Sequence, residues 1–382
     1  MSGGFLRQIT IESDELQRRG SWMSRLHLDP WLLLLLSLIM GGGLVVLYSA
    51  GENGMAIVQS QALRIGVGLL VMLVFAQLDP MLYRRWSPWL YMLGVIALVL
   101  VLLFGAGAQG AQRWLALPGG LPRVQPSEFM KLGVPLMVAW FLGRMSLPPR
   151  LLSTLMVLGV IALPGALIIA QPDLGTAVLV IAAGLAVLFL AGLSWKLIML
   201  MVAAGGASIP VLWLFVMRDY QKERVLTLLN PGSDPLGAGW NITQSKAAIG
   251  SGGLHGKGWG EGTQSHLDFL PESHTDFIMA VLAEEFGFVG VTVLLVLYAL
   301  TVIRCLYIAS VAQSSFSRLL SGGLAIIFFM YVVVNVAMVS GLMPVVGVPL
   351  PLVSFGGTSI VTLLAGFGIL MAVHTHRRML ES

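Results

Sequence analysis

Asp276 stands where a long polar stretch gives way to an apolar run, in HTDFIMAVLAEEFG (His274 to Gly287). A carboxylate there can cap a helix by accepting backbone N–H groups. It can also take a proton from a nucleophile. At about 100° per residue, Ala280, Ala283 and Gly287 fall within roughly 40° of it, so the acid would stand above a strip of small side chains that a helix or ligand can approach closely. Glu284 lies about 80° round and some 12 Å deeper, where an acidic group needs a partner. Glu285 points to the other side.

A second set precedes the fourth apolar run. Glu128 and Lys131 are one turn apart after Gln125-Pro126; they read either as an i,i+3 ion pair behind a helix-starting proline or as a cation offered to an anionic ligand. Arg113 and Trp114 lie in the loop just before, and Arg64 is another cation expected on that side. Arg113 has the planar fork that suits a phosphate, whereas Trp114 alone reads as an interfacial anchor. Asp173, after Gln171-Pro172, is expected to cap the next helix. Asn335, inside an apolar run, is expected to hydrogen-bond a neighbouring helix. His255, His266 and His274 have no zinc spacing, and a divalent cation (Mg or Mn) held partly by Asp276 stays open as a possible cofactor. GSGGLHGKGWG (Gly250 to Gly260) shares only its glycines with a phosphate loop, with no Lys-Ser/Thr and no strand before it.

The elements that must position these residues are membrane helices. Of 382 residues 57% are apolar and only 10% charged, with mean hydropathy +0.88; a soluble protein of this size carries about 25% charged residues. Soluble enzymes, disordered chains and nucleic-acid binders are excluded. A membrane crossing takes about 20 apolar residues. Ten such runs are expected, near 31–49, 62–78, 88–105, 127–143, 151–170, 174–192, 196–216, 277–303, 318–341 and 355–373, making an all-α polytopic protein. None alternates as a barrel strand would. The lone Cys305 excludes an intramolecular disulfide.

Thirteen Lys and Arg residues fall on the side of the two tails (Arg7, Arg84, Arg150, Arg304 and Arg377 among them), against four in the short loops opposite (Arg64, Arg113, Arg123, Lys131). By the positive-inside bias both termini are cytoplasmic. The expected organisation is a cytoplasmic tail over 1–30 without a cleavable signal, a membrane domain over 31–374, and a short tail over 375–382. Two outer loops exceed what a turn needs, 105–126 and 217–276, and loops of that length are usually functional or disordered. Chemistry is therefore expected at the extracytoplasmic face.

The segments GAQRW (110–114), QPSEFMKLGVPLM (125–137), QPDLGTA (171–177), DPLGAGWNITQSKAAIGSGGLHGKGWGEGTQSHLDFLPESHTDF (234–277) and GLMPVVGVPLPLVSFGGTS (341–359) together resemble the SEDS family (shape, elongation, division and sporulation), and its elongation branch more than its division branch. The resemblance covers nearly everything after the N-terminal tail. It implies a peptidoglycan glycosyltransferase of the cytoplasmic membrane that uses lipid II and extends a nascent glycan chain. A class B penicillin-binding protein, the elongation machinery and membrane lipids would be its partners. It also implies Asp276 as the catalytic residue and Arg113, Glu128 and Lys131 as residues linked to activity; Trp114, Arg64 and Glu284 are taken with them as candidate substrate-binding groups. The chain departs from the family at LALPGGLPRV (115–124), where relatives carry a short acidic turn, and at Ser273, where a bulkier residue is commoner.

Two other classes fit many spans and buried charge. A flippase would place its ionisable groups near the midplane, whereas most of these cluster at outer ends. A scaffold for a transpeptidase would need no carboxylate at Asp276.

Overall fold

The computed structural model describes residues 26–51, 54–108, 111–115, 124–217, 219–230, 232, 234, 237–263 and 273–376. Its helices in chain order are α1 (Pro30–Ala50), α2 (Met55–Ala76), α3 (Pro80–Phe104), α4 (Pro126–Leu142), α5 (Leu151–Ala170), α6 (Leu174–Leu190), α7 (Trp195–Val211), α8 (Asp219–Leu229), α9 (Ala238–Gly252), α10 (Ile278–Ser310), α11 (Ser315–Val339) and α12 (Thr358–Thr375). Each of the ten expected runs falls on a helix. Among the described residues eight helices are long and apolar enough to cross a membrane, one of them continuing from α7 through a π-turn over Leu212–Val216; α6 is a shorter apolar helix. The 17-residue α4 carries Glu128 and Lys131 in its opening turns. Among the described residues the strands are a small antiparallel hairpin, β1 (Ala106–Ala108) with β2 (Ala111–Trp114), and a single bridge joins Leu115 to Val124.

The observed ends differ from the expected ones for local reasons. Helix α2 starts at Met55 and α3 at Pro80, both before the expected apolar runs, because polar residues one turn in (Gln59, Ser60 and Gln61 in α2, Arg84 and Arg85 in α3) lower the hydropathy there. Asp79 caps α3 by accepting from Met81 N at 2.7 Å. Helix α10 runs past 303 to Ser310 because Arg304 is neutralised: its Nε and Nη2 donate to Asp29 Oδ2 at 3.0 and 2.7 Å. Asp29 also caps α1 through Trp31 N and Leu32 N.

The core is built on α4, α6 and α11. In α4 thirteen of seventeen residues are buried, and α11 buries 67% of its apolar window. Small residues let these helices close up: a Cβ on Gly184 of α6 would lie 2.5 Å from Ile161 of α5, and one on Gly323 of α11 would strike Val187 of α6. Helix α7 buries no described residue of its apolar stretch and stands outside this core.

Asp29 is fully buried, with the Arg304 guanidinium and, at 3.6 Å, the His374 imidazole beside it. Removing one member of a buried pair leaves an uncompensated charge, at a cost of about 3–5 kcal/mol. Arg304→Ala should therefore lower the melting temperature of the purified protein by several degrees, and Asp29→Asn, which keeps a capping oxygen, by less. Equal melting of both variants and the wild type would remove this tie from the fold's stability.

Candidate active site

Helix α10 is two helices in sequence. At Gly287 the backbone leaves the helical region (φ 63°, ψ −162°). The carbonyls of Glu284 and Glu285 and the amides of Phe288 and Val289 thereby lose their helical partners. The glycine-rich stretch after α9 replaces them: Lys257 N and Gly258 N donate to the carbonyls of Glu284 and Glu285 at 3.0 and 3.1 Å, while Phe288 N and Val289 N donate to those of Gly253 and Leu254 at 2.9 and 3.1 Å. A Cβ on Gly252 or Gly256 would strike the carbonyls of Ala283 or Glu285. The glycines of 250–260 thus serve close backbone approach, and the small strip Ala280–Ala283–Gly287 receives that loop.

Glu284 is fully buried, and its Oε1 accepts from Lys257 Nζ at 2.6 Å, Thr263 N at 3.0 Å and Thr263 Oγ1 at 3.0 Å. The buried carboxylate needs a cation and donors, and the loop supplies them. Glu285 is likewise buried and accepts from the Ser49 hydroxyl of α1.

Asp276 sits just before this half-helix, half-buried, and it is not the cap. Phe277 holds the cap position without any side-chain hydrogen bond. The turn over 273–277 is fixed from outside. Ser273 Oγ donates to Ala50 O at 3.2 Å, a bond that suits the small residue found there. The other restraints come from α11 and from the non-helical segment 340–357, a strap between α11 and α12. Asn335 of α11, fully buried, donates Nδ2 to both Asp276 O at 2.9 Å and Val348 O at 2.8 Å. It was expected to bond a neighbouring helix; it joins two non-helical carbonyls instead. Ser354 Oγ donates to Thr275 O at 2.5 Å and accepts from Leu350 N at 2.8 Å. Gln61 of α2 donates to Ser354 O at 2.9 Å. Gly347 takes φ +72°, and a Cβ there would lie 3.5 Å from Asp276 Oδ2, so the strap passes directly against the carboxylate.

The other expected residues gather on the far side of the strap. A cleft of about 700 Å³ is lined by Arg64, Trp114, Gln125, Glu128, Phe355 and Thr362, among others. The Arg64 guanidinium lies 4.1 Å from the centre of the Phe355 ring, a cation–π contact. Phe355 N donates to His274 O at 2.9 Å, so the wall of this cleft is bonded to the chain two residues before Asp276. Glu128 and Lys131 form a buried ion pair, and Lys131 Nζ stands 4.8 Å from the centre of the Tyr331 ring. Glu128 Oε2 and the Tyr331 hydroxyl, both buried, take no partner from the protein, and such groups mark room for a polar ligand or water. Asp173 caps α6 through Thr176 N at 3.3 Å and accepts from Gln125 Nε2 at 3.0 Å. The Arg113 backbone is in β2; its side chain lies outside the described residues, as do Arg123, His266 and most of the 115–124 stretch.

Helix α11 links the two sides. Tyr331 meets Lys131 and Asn335 meets the Asp276 turn, four residues or about 6 Å of rise apart. Among the described residues no three His, Cys, Asp or Glu side chains come together as a metal site. A divalent ion on Asp276 would have to complete its shell with substrate oxygens and water, as magnesium commonly does.

A family model described as "Cell cycle protein", for FtsW, RodA and SpoVE, matches residues 25–379. The chain belongs to this family. It is 53% identical over 369 residues to the peptidoglycan glycosyltransferase MrdB of Escherichia coli strain K12, covering 97% of this chain and 99% of that one. It is 39% identical to a probable peptidoglycan glycosyltransferase FtsW of Trichlorobacter lovleyi, over 90% of this chain and 92% of the relative. Among solved structures it resembles the rod shape determining protein RodA of Thermus thermophilus (TM-score 0.70, 30% identity, 92% of this chain and 98% of that one). It also resembles a chain from work on polymerization and crosslinking by a peptidoglycan synthase complex (TM-score 0.79, 33% identity, 91% and 97%). The SEDS resemblance read from the motifs is the same family.

Sequence reasoning missed Gln61, Lys257, Gly347 and Ser354. Gln61 falls one residue outside the expected second run, because a hydropathy window stops at a polar residue. Lys257 was implied only as the unnamed partner that Glu284 needs. Asn335→Leu removes the donor shared by the Asp276 and Val348 carbonyls, and each buried acceptor left unpaired costs about 1–3 kcal/mol. The variant should melt several degrees below wild type in detergent, as should Asn335→Asp, which keeps the shape but not the donor. Wild-type melting in both would make these two bonds dispensable.

Proposed function

We propose that this family member is a peptidoglycan glycosyltransferase that polymerises lipid II at the outer face of the cytoplasmic membrane during cell elongation, with both termini cytoplasmic. Its partner is a transpeptidase of the penicillin-binding class, in keeping with the synthase complex to which the fold is similar. The observation that carries the reading is that two α11 residues about one helical turn apart touch both groups: Asn335 bonds the half-buried carboxylate turn and Tyr331 meets the buried Glu128–Lys131 pair, beside a cleft lined by Arg64.

Outside the cytoplasm no nucleotide is at hand, so the donor sugar must arrive already activated. A polyprenyl diphosphate does this. The hydroxyl of an acceptor sugar attacks C1 of the donor; the C1–oxygen bond to the diphosphate breaks with inversion, and the hydroxyl proton goes to Asp276. A positioned general base of this kind contributes roughly 10²–10⁴ in rate. Negative charge gathers on the departing diphosphate, where Lys131, Arg64 and Arg113 stabilise it. Glu128 orients Lys131, and its unpaired oxygen can accept from a substrate hydroxyl. Trp114 forms part of the apolar wall.

The test is purified protein, with its transpeptidase partner, given fluorescent lipid II, and the products resolved on a gel. Wild type should give glycan ladders and Asp276→Asn none, at normal expression and partner binding. Ladders of normal yield from Asp276→Asn would remove that residue from the chemistry. No ladder from wild type, with lipid II moved across vesicles instead, would make the protein a flippase. Lys131→Ala should lower kcat/KM for the lipid-linked donor at least tenfold; unchanged donor kinetics would leave Lys131 as a structural partner of Glu128.

A further inference from the structure

A second cleft opens on the other side of the strap. It holds about 510 Å³ between α1 and the half-helices of α10, and its lining includes Gly42, Gly43, Phe286, Val293, Val353 and His255. Its walls belong to membrane helices, and His255 is the one titratable group among its lining residues.

The cleft is kept open by a glycine that packing does not require. Helix α1 contains Gly41-Gly42-Gly43, and each glycine inside a helix is about 0.5–1 kcal/mol worse than alanine. Gly43 is explained: a Cβ there would lie 2.9 Å from the Val353 Cα. Gly42 is not, since a Cβ at that position meets nothing within 4 Å. Its missing side chain leaves open volume facing hydrocarbon. The cleft's size and nearly all-apolar lining, with a polar group at one edge, are those of a ligand pocket.

What fills it must come from the membrane. The loop that mends the α10 break covers the outer end: Trp259 Nε1 donates to Val45 O at 3.1 Å, and His255 sits at the lip. A straight partner helix running along α1 would meet that roof, whereas a flexible chain can lie beneath it with its head at the lip. The floor ties the cleft to the active site. Val353 is the neighbour of Ser354, which bonds Thr275, and Phe355 one residue further lines the first cleft. The strap therefore lies between the two clefts, with Val353 lining one and Phe355 the other, and it is bonded to the chain beside Asp276 through Ser354 and Phe355.

We infer that the α1–α10 cleft holds the polyprenyl chain of a lipid-linked substrate, with His255 beside its diphosphate, so that the two clefts seat the tails of two substrates at once. This rests on the glycosyltransferase reading above. Space at Gly42 makes the cleft testable by filling it. In Gly42→Trp, the preference (ratio of kcat/KM values) for lipid II with a 55-carbon chain over an analogue with a 10-carbon chain should fall at least tenfold. Gly41→Trp is the control for the substitution itself, because Gly41 is exposed, equally open and outside the cleft; it should keep the wild-type preference. In the inactive Asp276→Asn protein, lipid II carrying a photoreactive group in its chain should label peptides containing Val293 and Leu38. Excess unlabelled lipid II should suppress that labelling, and excess phosphatidylglycerol should not. An unchanged preference in Gly42→Trp, or labelling displaced equally by phosphatidylglycerol, would overturn the assignment while leaving the enzyme reading intact. Labelling of those peptides with no polymer from wild type would sink the enzyme reading and keep the cleft as a polyprenyl site.

Discussion

Backbone amides and carbonyls inside a bilayer have no water to bond, so non-helical chain at membrane depth survives only where the protein itself supplies every partner. Two irregular pieces of this molecule meet that demand, and Asp276 is fixed between them. At the Gly287 break four orphaned backbone groups are exchanged with 253–258, two in each direction. In the strap, carbonyls from Val345 to Ser354 find donors on α8, α10, α11 and α2: Arg224 for Val345 at 3.0 Å, Tyr298 for Pro351 at 2.6 Å, with Asn335 and Gln61 between and beyond. Tyr298 lies twenty residues into α10, so the strap reaches well along the length of that helix.

This accounting explains why polar residues are buried in so apolar a chain. Asn335, Gln61, Ser354 and Lys257 are bonded to backbone or to a buried carboxylate, and each bond holds the Asp276 turn, directly or through α10. A turn whose backbone is held this way presents its carboxylate in a fixed place, which the proposed base would need, since preorganised sites lower barriers. The Glu128–Lys131 pair follows the same logic. Two charges out of water are costly even when paired, and pairing alone leaves Glu128 Oε2 unused. A pair kept only for stability would be expected to have all its acceptors filled.

The sequence made some of this legible and hid the rest for physical reasons. The ten apolar runs were readable because hydrocarbon imposes length and composition on every crossing helix. Their ends were not, since Gln59, Ser60 and Gln61 of α2, Arg84 and Arg85 of α3 and Arg304 of α10 break the apolar pattern inside the helices, where a hydropathy window stops. That Glu284 needs a partner followed from its depth; that the partner is Lys257 did not, because the contact depends on how the 253–263 loop enters a helix break. The break itself, at a glycine in an otherwise helical pattern, looks the same in sequence as a packing glycine. Arg64, Trp114 and Glu128, far apart in the chain, were named separately from their types, and only the packing of α2, β2 and α4 brings them to one cleft.

The strap also bears on why the proposed chemistry suits this place. Joining two lipid-anchored sugars requires both anchors to stay in hydrocarbon while their heads meet in a polar site. A single wide cavity would let both tails and water mix, loosening the alignment on which an in-line displacement depends. A rigid partition avoids this, provided it is thin enough for the heads to meet beside it. Three consecutive strap residues do this: Val353 faces one cleft, Ser354 is bonded to the turn that carries Asp276, and Phe355 faces the other under Arg64. An α-helix in the same place would have been about 10 Å thick. A single non-helical turn is narrower, and it is tolerated here only because Gln61, Tyr298 and Asn335 satisfy strap carbonyls from three different helices.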